Sequence, residues 1–237
     1  MAITHFPGLP TSAEGLLAAT GFLDIDEPSI QSFVARHTQG MGNPRERAVA
    51  LFYAVRDEIR YDPYRLGWED ADYRASAVLA KGYGWCVSKA VLMAATLRAA
   101  GIPAALGFAD VRNHLTTDKL RERMGGVDIF YNHGYAAALI DGHWLKLAPA
   151  FNIELCERFD VLPTEFDGSA DALYQEFDAR ERLHMQYLAD HGTYSDLPLD
   201  KIRADFASYY PNSVFAAHIP SLDDPFDSQP QQRPAAA

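Results

Sequence analysis

The stretch from Cys86 to Ala100, CVSKAVLMAATLRAA, lies between a glycine-rich lead-in, Gly82-Tyr83-Gly84-Trp85, and a closing Gly101. Val87, Ala90, Val91, Ala94 and Leu97 recur at the spacing of one helix face, and Gly101 suits the left-handed position that ends a helix. Small side chains dominate that face. A helix so rich in alanine lets a neighbouring sheet or helix approach very closely, and this constrains the fold more than any other segment does.

From Gly101 onward the pattern changes to strands: IPAALGFADV, a helical or looped excursion HLTTDKLRERM, then VDIFYNHGYAAALI and HWLKLAPAF. Asp141-Gly142 joins the last two as a hairpin turn, because this dipeptide accepts positive φ. With that pair at the tip, Ala150 falls opposite His133, and Ala148 lies diagonally from it on the same face. Upstream, a short helix is expected over Pro28 to His37. A second opens at Asn43-Pro44, a capping residue followed by proline, and runs to about Arg60. Its stripe of Ala48, Leu51, Phe52, Val55 and Ile59 faces a core and leaves Arg56, Asp57 and Glu58 outward. Residues 74–80 form a third, stopping at Lys81-Gly82. Beyond Asn152, helices are expected over IELCERFD, from Asp178 to about Ala189, and from Pro198 to Tyr209. The tail from Ile219, rich in Pro, Gln, Ser and Asp, is expected to be flexible. The fold class is α+β, with helices packed on an antiparallel sheet.

With 237 residues and 48% hydrophobic content, the chain can bury a sizeable core. It has no run of apolar residues long enough to span a membrane, and the N-terminus lacks the basic start and apolar stretch of a secretory signal. A soluble cytoplasmic protein without a membrane partner is the expectation. A net charge of −11, with no basic run, argues against nucleic acid. The acidic residues (Asp24, Asp26 and Glu27; Glu69, Asp70 and Asp72; Asp223 and Asp224) are spread as a solvated surface would have them. Two cysteines, Cys86 and Cys156, form neither a disulfide framework nor a Cys-x-x-Cys pair, so cysteine chemistry would be that of a single thiol.

Cys86 is the thiol placed for it, because a helix N-terminus presents unpaired backbone N–H groups and the positive end of the dipole. His133 can supply the base if its strand passes that N-terminus. The amide of Cys86 is the natural oxyanion donor, and Tyr61, Trp68 or Trp85 could supply a second. Cys156, inside the apolar face of IELCERF, reads as structural. His114 and His143 read as surface or turn residues, and Trp68, Tyr73, Tyr83 and Trp85 as either cleft lining or core. His184 and His191 have no nearby cysteine or spaced carboxylates, so no metal is expected, and no cofactor either.

These residues resemble the transglutaminase-like proteins of the papain-like cysteine enzyme group. The resemblance covers roughly residues 44–153 and rests on RDEIRYDPY, the Gly84-Trp85-Cys86 helix start, LRAAGIPAAL, NHGYAAALIDGHW and LKLAPAFN. It implies Cys86 as nucleophile and His133 as its base, on a helix packed against an antiparallel sheet. It also divides the chain into a lead-in (1–43), the core (44–153), a helical extension of the same domain (154–218) and the tail (219–237). One position departs from the pattern: where the family has Asp-Pro-x-x-Asn, this chain has Ala148-Pro149-Ala150-Phe151-Asn152. Three readings follow. Asp110, at the end of the strand expected beside His133, or the amides of Asn113 or Asn152, could replace the missing carboxylate. Alternatively Cys86 and His133 work as a dyad, a pre-formed thiolate–imidazolium pair, or the chain is a silent relative that binds without reacting. The corresponding functions are a cysteine-dependent acyl-transfer enzyme acting on a small-molecule, peptide or carrier-bound acyl substrate, and a binding or assembly protein on the same scaffold.

Overall fold

The computed structural model describes residues 3–67, 69–114, 117–173 and 185–213. In chain order the elements are β1 (His5–Phe6), α1 (Pro28–Thr38), α2 (Pro44–Glu58), β2 (Arg60–Tyr61), α3 (Ala75–Lys81), β3 (Tyr83–Gly84), α4 (Cys86–Ala99), β4 (Ala104–Asn113), α5 (Asp118–Arg123), β5 (Ile129–Ile140), β6 (His143–Leu147), α6 (Ile153–Phe159), β7 (Met185–Tyr194) and α7 (Leu199–Tyr209). A five-stranded sheet runs β1-β7-β4-β5-β6 with every pairing antiparallel. No helix among the described residues is long and apolar enough to cross a membrane.

The alanine-rich helix α4 packs chiefly on β5, which answers with its own small residues Ala136 and Ala138. Helices α1, α2 and α3 close over its other sides, so every residue from Cys86 to Arg98 is buried, not only the expected face. Two cations are caught in that burial, and both are used on backbone carbonyls. Lys89 Nζ donates to the carbonyls of Arg56 (2.9 Å) and Ile59, which end α2; these acceptors would otherwise lack partners at the helix terminus. The Arg98 guanidinium donates to the carbonyls of Ala104, Ala18 and Ser195 and ties the chain's two ends to the centre.

Helix α2 starts as expected, with Asn43 Oδ1 accepting from the Arg45 amide, but it stops at Glu58. Arg56 does not face outward. It is 4% exposed, with its guanidinium on the Asp57 carboxylate and on the Thr164 carbonyl and Glu165, because α6 and the segment after it cover this side of α2. The β5–β6 turn has Asp141 at φ 50° and Gly142 at φ 84°, the geometry of a type I′ hairpin. The expected register holds from Ile140↔His143 to Ala136↔Leu147 and stops there. The extrapolated pairing of Ala150 with His133 does not form; on the outer edge the Ala148 amide donates to the Ala172 carbonyl.

One expected helix is a strand. The part of Asp178 to Ala189 that is described, from Met185, belongs to β7, which runs along β4 from Asn113↔Met185 to Leu106↔Tyr194. The rest of that segment, with His184, and the tail from Ile219 lie outside the described residues.

Candidate active site

Two motifs far apart in sequence meet at the start of α4. Strands β2 and β3 form a short parallel ladder, Arg60↔Tyr83 and Tyr61↔Gly84, so RYDPY lies alongside the residues that lead into Cys86. The Tyr61 amide, on the far side of that ladder, donates to Asn152 Oδ1 at 3.0 Å. The turn into the helix is tight: a Cβ at Gly84 would lie 2.4 Å from Ser88 Oγ, the atom that accepts from the Trp85 amide at 3.0 Å. No side chain of the cap residue Trp85 accepts from the first turn. The Cys86 sulfur sits at this end of the helix, where the first-turn amides favour negative charge on it.

From β5 the amide of Gly134 also favours negative charge on the thiol. Backbone donors alternate along a strand. The Leu139 amide points to Pro103 on the β4 side, so the even-numbered amides point toward β6. Because β6 ends opposite Ala136, the Gly134 amide lies beyond the β6 pairing, on the side of β5 that β6 leaves open. The approach is closer than any other residue would allow, since a Cβ at Gly134 would lie 2.8 Å from Val87 Cα and 3.2 Å from the Cys86 carbonyl. His133 is the neighbouring residue, so the strand that carries it does pass the helix N-terminus.

Both groups are buried, Cys86 and His133 each at 3% exposure. Burial pushes the Cys86 thiol up to about 12, against the three amides that favour the thiolate. It also pushes His133 down to about 4. Burial thus opposes charge on both groups.

The three candidates for the missing carboxylate are placed differently. Asp110 follows Ala109, which pairs with His133 in the expected antiparallel register, but its Oδ1 accepts from His191 Nε2 at 2.8 Å and from the Asn132 amide at 3.2 Å. It thus holds the backbone one residue before His133, at an Asn132 with φ of 56°. Asn152 uses both ends of its amide, accepting from Tyr61 and donating to Glu154 Oε2 at 2.7 Å. Asn113 is buried at the end of β4. Ala148 is buried at 1% exposure.

Tyr61 and Trp85 line a small chamber that opens onto Cys86. Trp68 lies outside the described residues. Trp85 packs edge-on against Tyr73 and Phe206, and Tyr83 lies under the Arg65 guanidinium. Cys156 is buried, and His114 and His143 are exposed. Sequence reasoning missed the opposite wall, made by Leu120 and Met124 around α5 and by Phe206 and Tyr210 of the α7 region. The four-residue spacing of Ile202, Phe206 and Tyr210 was a usable signal for one buried face, whereas nothing in the spacing marked Met124. The Tyr210 hydroxyl donates to the Ile129 carbonyl at 2.7 Å and accepts from the Tyr131 amide at 2.8 Å, bracing the entry to β5.

Among solved structures the chain is similar to a candidate cysteine protease from Cytophaga hutchinsonii, with 16% identity, 78% of this chain and 53% of that one covered, and a TM-score of 0.45. It is also similar to a candidate protease from Parabacteroides distasonis ATCC 8503 (23% identity, 59% and 27% covered, TM-score 0.37). A third is the periplasmic domain of TgpA from Pseudomonas aeruginosa (20% identity, 52% and 42% covered, TM-score 0.37). The chain spans about half of the first of these and less of the other two. No curated protein matches it by sequence. The sequence profile of one family matches residues 31–149, from α1 through the β5–β6 hairpin and across Cys86 and His133, and the chain belongs to that family, the transglutaminase-like superfamily.

Proposed function

We propose that the protein is a cysteine-dependent acyl-transfer enzyme with Cys86 as nucleophile and His133 as its base. The observation that carries this reading is the close approach of β5 to the start of α4, where a Cβ at Gly134, the residue after His133, would lie 3.2 Å from the Cys86 carbonyl. With burial opposing charge on both groups, the nucleophile forms when the proton moves from Sγ to His133 as the sulfur attacks. The S–C bond forms, the bond from the acyl carbon to the leaving group breaks, and His133 delivers the proton to that group. Water or an amine then releases the acyl group from Cys86, with His133 taking and returning a proton in the same way. The amides of Cys86 and Gly134, which favour negative charge on sulfur at rest, are the donors nearest the developing oxyanion. Asp110 acts on His133 through the backbone of Asn132. The free thiols suit a reducing, cytoplasmic setting.

A second reading, a binding protein that does not react, is favoured by Ala148 and by the burial that opposes charge on Cys86 and His133. Intact-mass measurement after incubation with activated esters and thioesters separates the two. The enzyme reading expects an acyl adduct on Cys86 that is absent in Cys86→Ala and slowed about 100-fold or more in His133→Ala. No adduct with any acyl donor would leave the binding reading.

A further inference from the structure

The chamber beside Cys86 has a volume of about 30 Å³. By the room that ordered water needs, this holds about two water molecules. Among the described residues its walls are carbon. Pro63, Leu66, Leu120, Met124, Phe130 and Phe206 close it together with four aromatic residues that carry a polar tip, among them Tyr210. The hydroxyl of Tyr210 is used on both sides by β5 backbone, as acceptor from Tyr131 and donor to Ile129, so it holds the wall in place.

In an acyl-enzyme, the acyl group is the part of the substrate covalently held at the sulfur, and the space beside the sulfur receives it. A carboxylate there would be desolvated against the apolar surface of the described lining residues, which is strongly unfavourable. A long chain would have to displace buried Met124 or Leu120, each nearly inaccessible. Resting on the acyl-transfer reading above, we infer that the enzyme is selective for short, uncharged, apolar acyl groups, with a side chain of about three carbons matching the volume of the two waters displaced. The family core does not supply this selectivity alone, because Phe206 and Tyr210 lie beyond the matched residues 31–149.

The test uses the full chain and p-nitrophenyl esters of acetate, butyrate, hexanoate, decanoate and hemisuccinate, reading p-nitrophenolate release and the mass of the Cys86 adduct. Butyrate is expected to acylate about tenfold or more faster than decanoate and hemisuccinate. In Met124→Ala, which removes three heavy atoms from the wall, the hexanoate-to-butyrate ratio is expected to rise about threefold or more. Leu66→Ala, at a half-buried position, makes the same comparison if Met124→Ala does not fold. Equal rates across the series, or preference for hemisuccinate, with the adduct still on Cys86, would overturn the selectivity and leave acyl transfer standing. No adduct from any ester would overturn both.

Discussion

Gly134 of β5 lies against Val87 at the start of α4, two residues beyond the point where β6 ends opposite Ala136. An added methyl at this glycine meets backbone, 2.8 Å from Val87 Cα, and not the movable end of a side chain. Gly134→Ala is therefore expected to push β5 off α4. The cost is about 1–3 kcal/mol by denaturant unfolding, with acylation of Cys86 slowed in step. An alanine variant of unchanged stability and rate would show that the close approach is not needed.

The thiol's reactivity toward iodoacetamide follows its proton affinity. With burial holding Cys86 up to about 12, alkylation in the native protein is expected to be slower than that of a free cysteine at pH 7. It should keep rising with pH through 9 without levelling off. A plateau near neutral pH would mean that a thiolate–imidazolium pair exists at rest after all.

His133 makes the fold acid-sensitive. Its pKa is lowered by burial from 6.5 to about 4, so between those values the unfolded chain binds the proton and the folded one does not. Stability is intact above pH 6.5 and falls as pH drops toward 4, by roughly 3 kcal/mol for this group. Urea unfolding of the wild type and of His133→Gln at several pH values should show the difference between them changing across that window. Parallel curves would refute the assignment.

Lys89 gives the opposite end of the pH scale. Burial lowers its ammonium from 10.5 to about 7, so the unfolded chain holds more protons from 7 upward, and stability contributed at this site rises with pH. Relative to Lys89→Met, the wild type should gain roughly 4 kcal/mol between pH 7 and 10. At neutral pH the methionine variant still loses the two bonds that satisfy the end of α2, and circular dichroism would register fraying there.

Residues 28 to 151 were largely legible because each element there announces itself locally. Asn43-Pro44 caps α2, Gly82 and Gly101 end helices, and Asp141-Gly142 fixes a turn and, through it, a register. What failed needed the rest of the molecule. MQYLADHGTY is exposed along much of its length and shifts register twice against β4, so neither its burial nor its spacing reads as a strand until β4 is beside it. Arg56 looked like a solvent-facing charge because its acceptor at Thr164 is distant in the chain. The motifs put Cys86 at a helix start and His133 on a strand, as the structure has them, but the burial that opposes charge on both is encoded in no short motif.

The Tyr210 hydroxyl sits between the Tyr131 amide and the Ile129 carbonyl, some sixty residues past the end of the stretch that defines the family, as the two boundaries at 149 and 210 require. A fragment cut after the hairpin would keep the thiol and the imidazole but lose the brace on the backbone leading to that imidazole. The family signature is thus a smaller object than the working site. Grafting this site onto another scaffold, or exchanging it between relatives, would have to carry α7 along with the core.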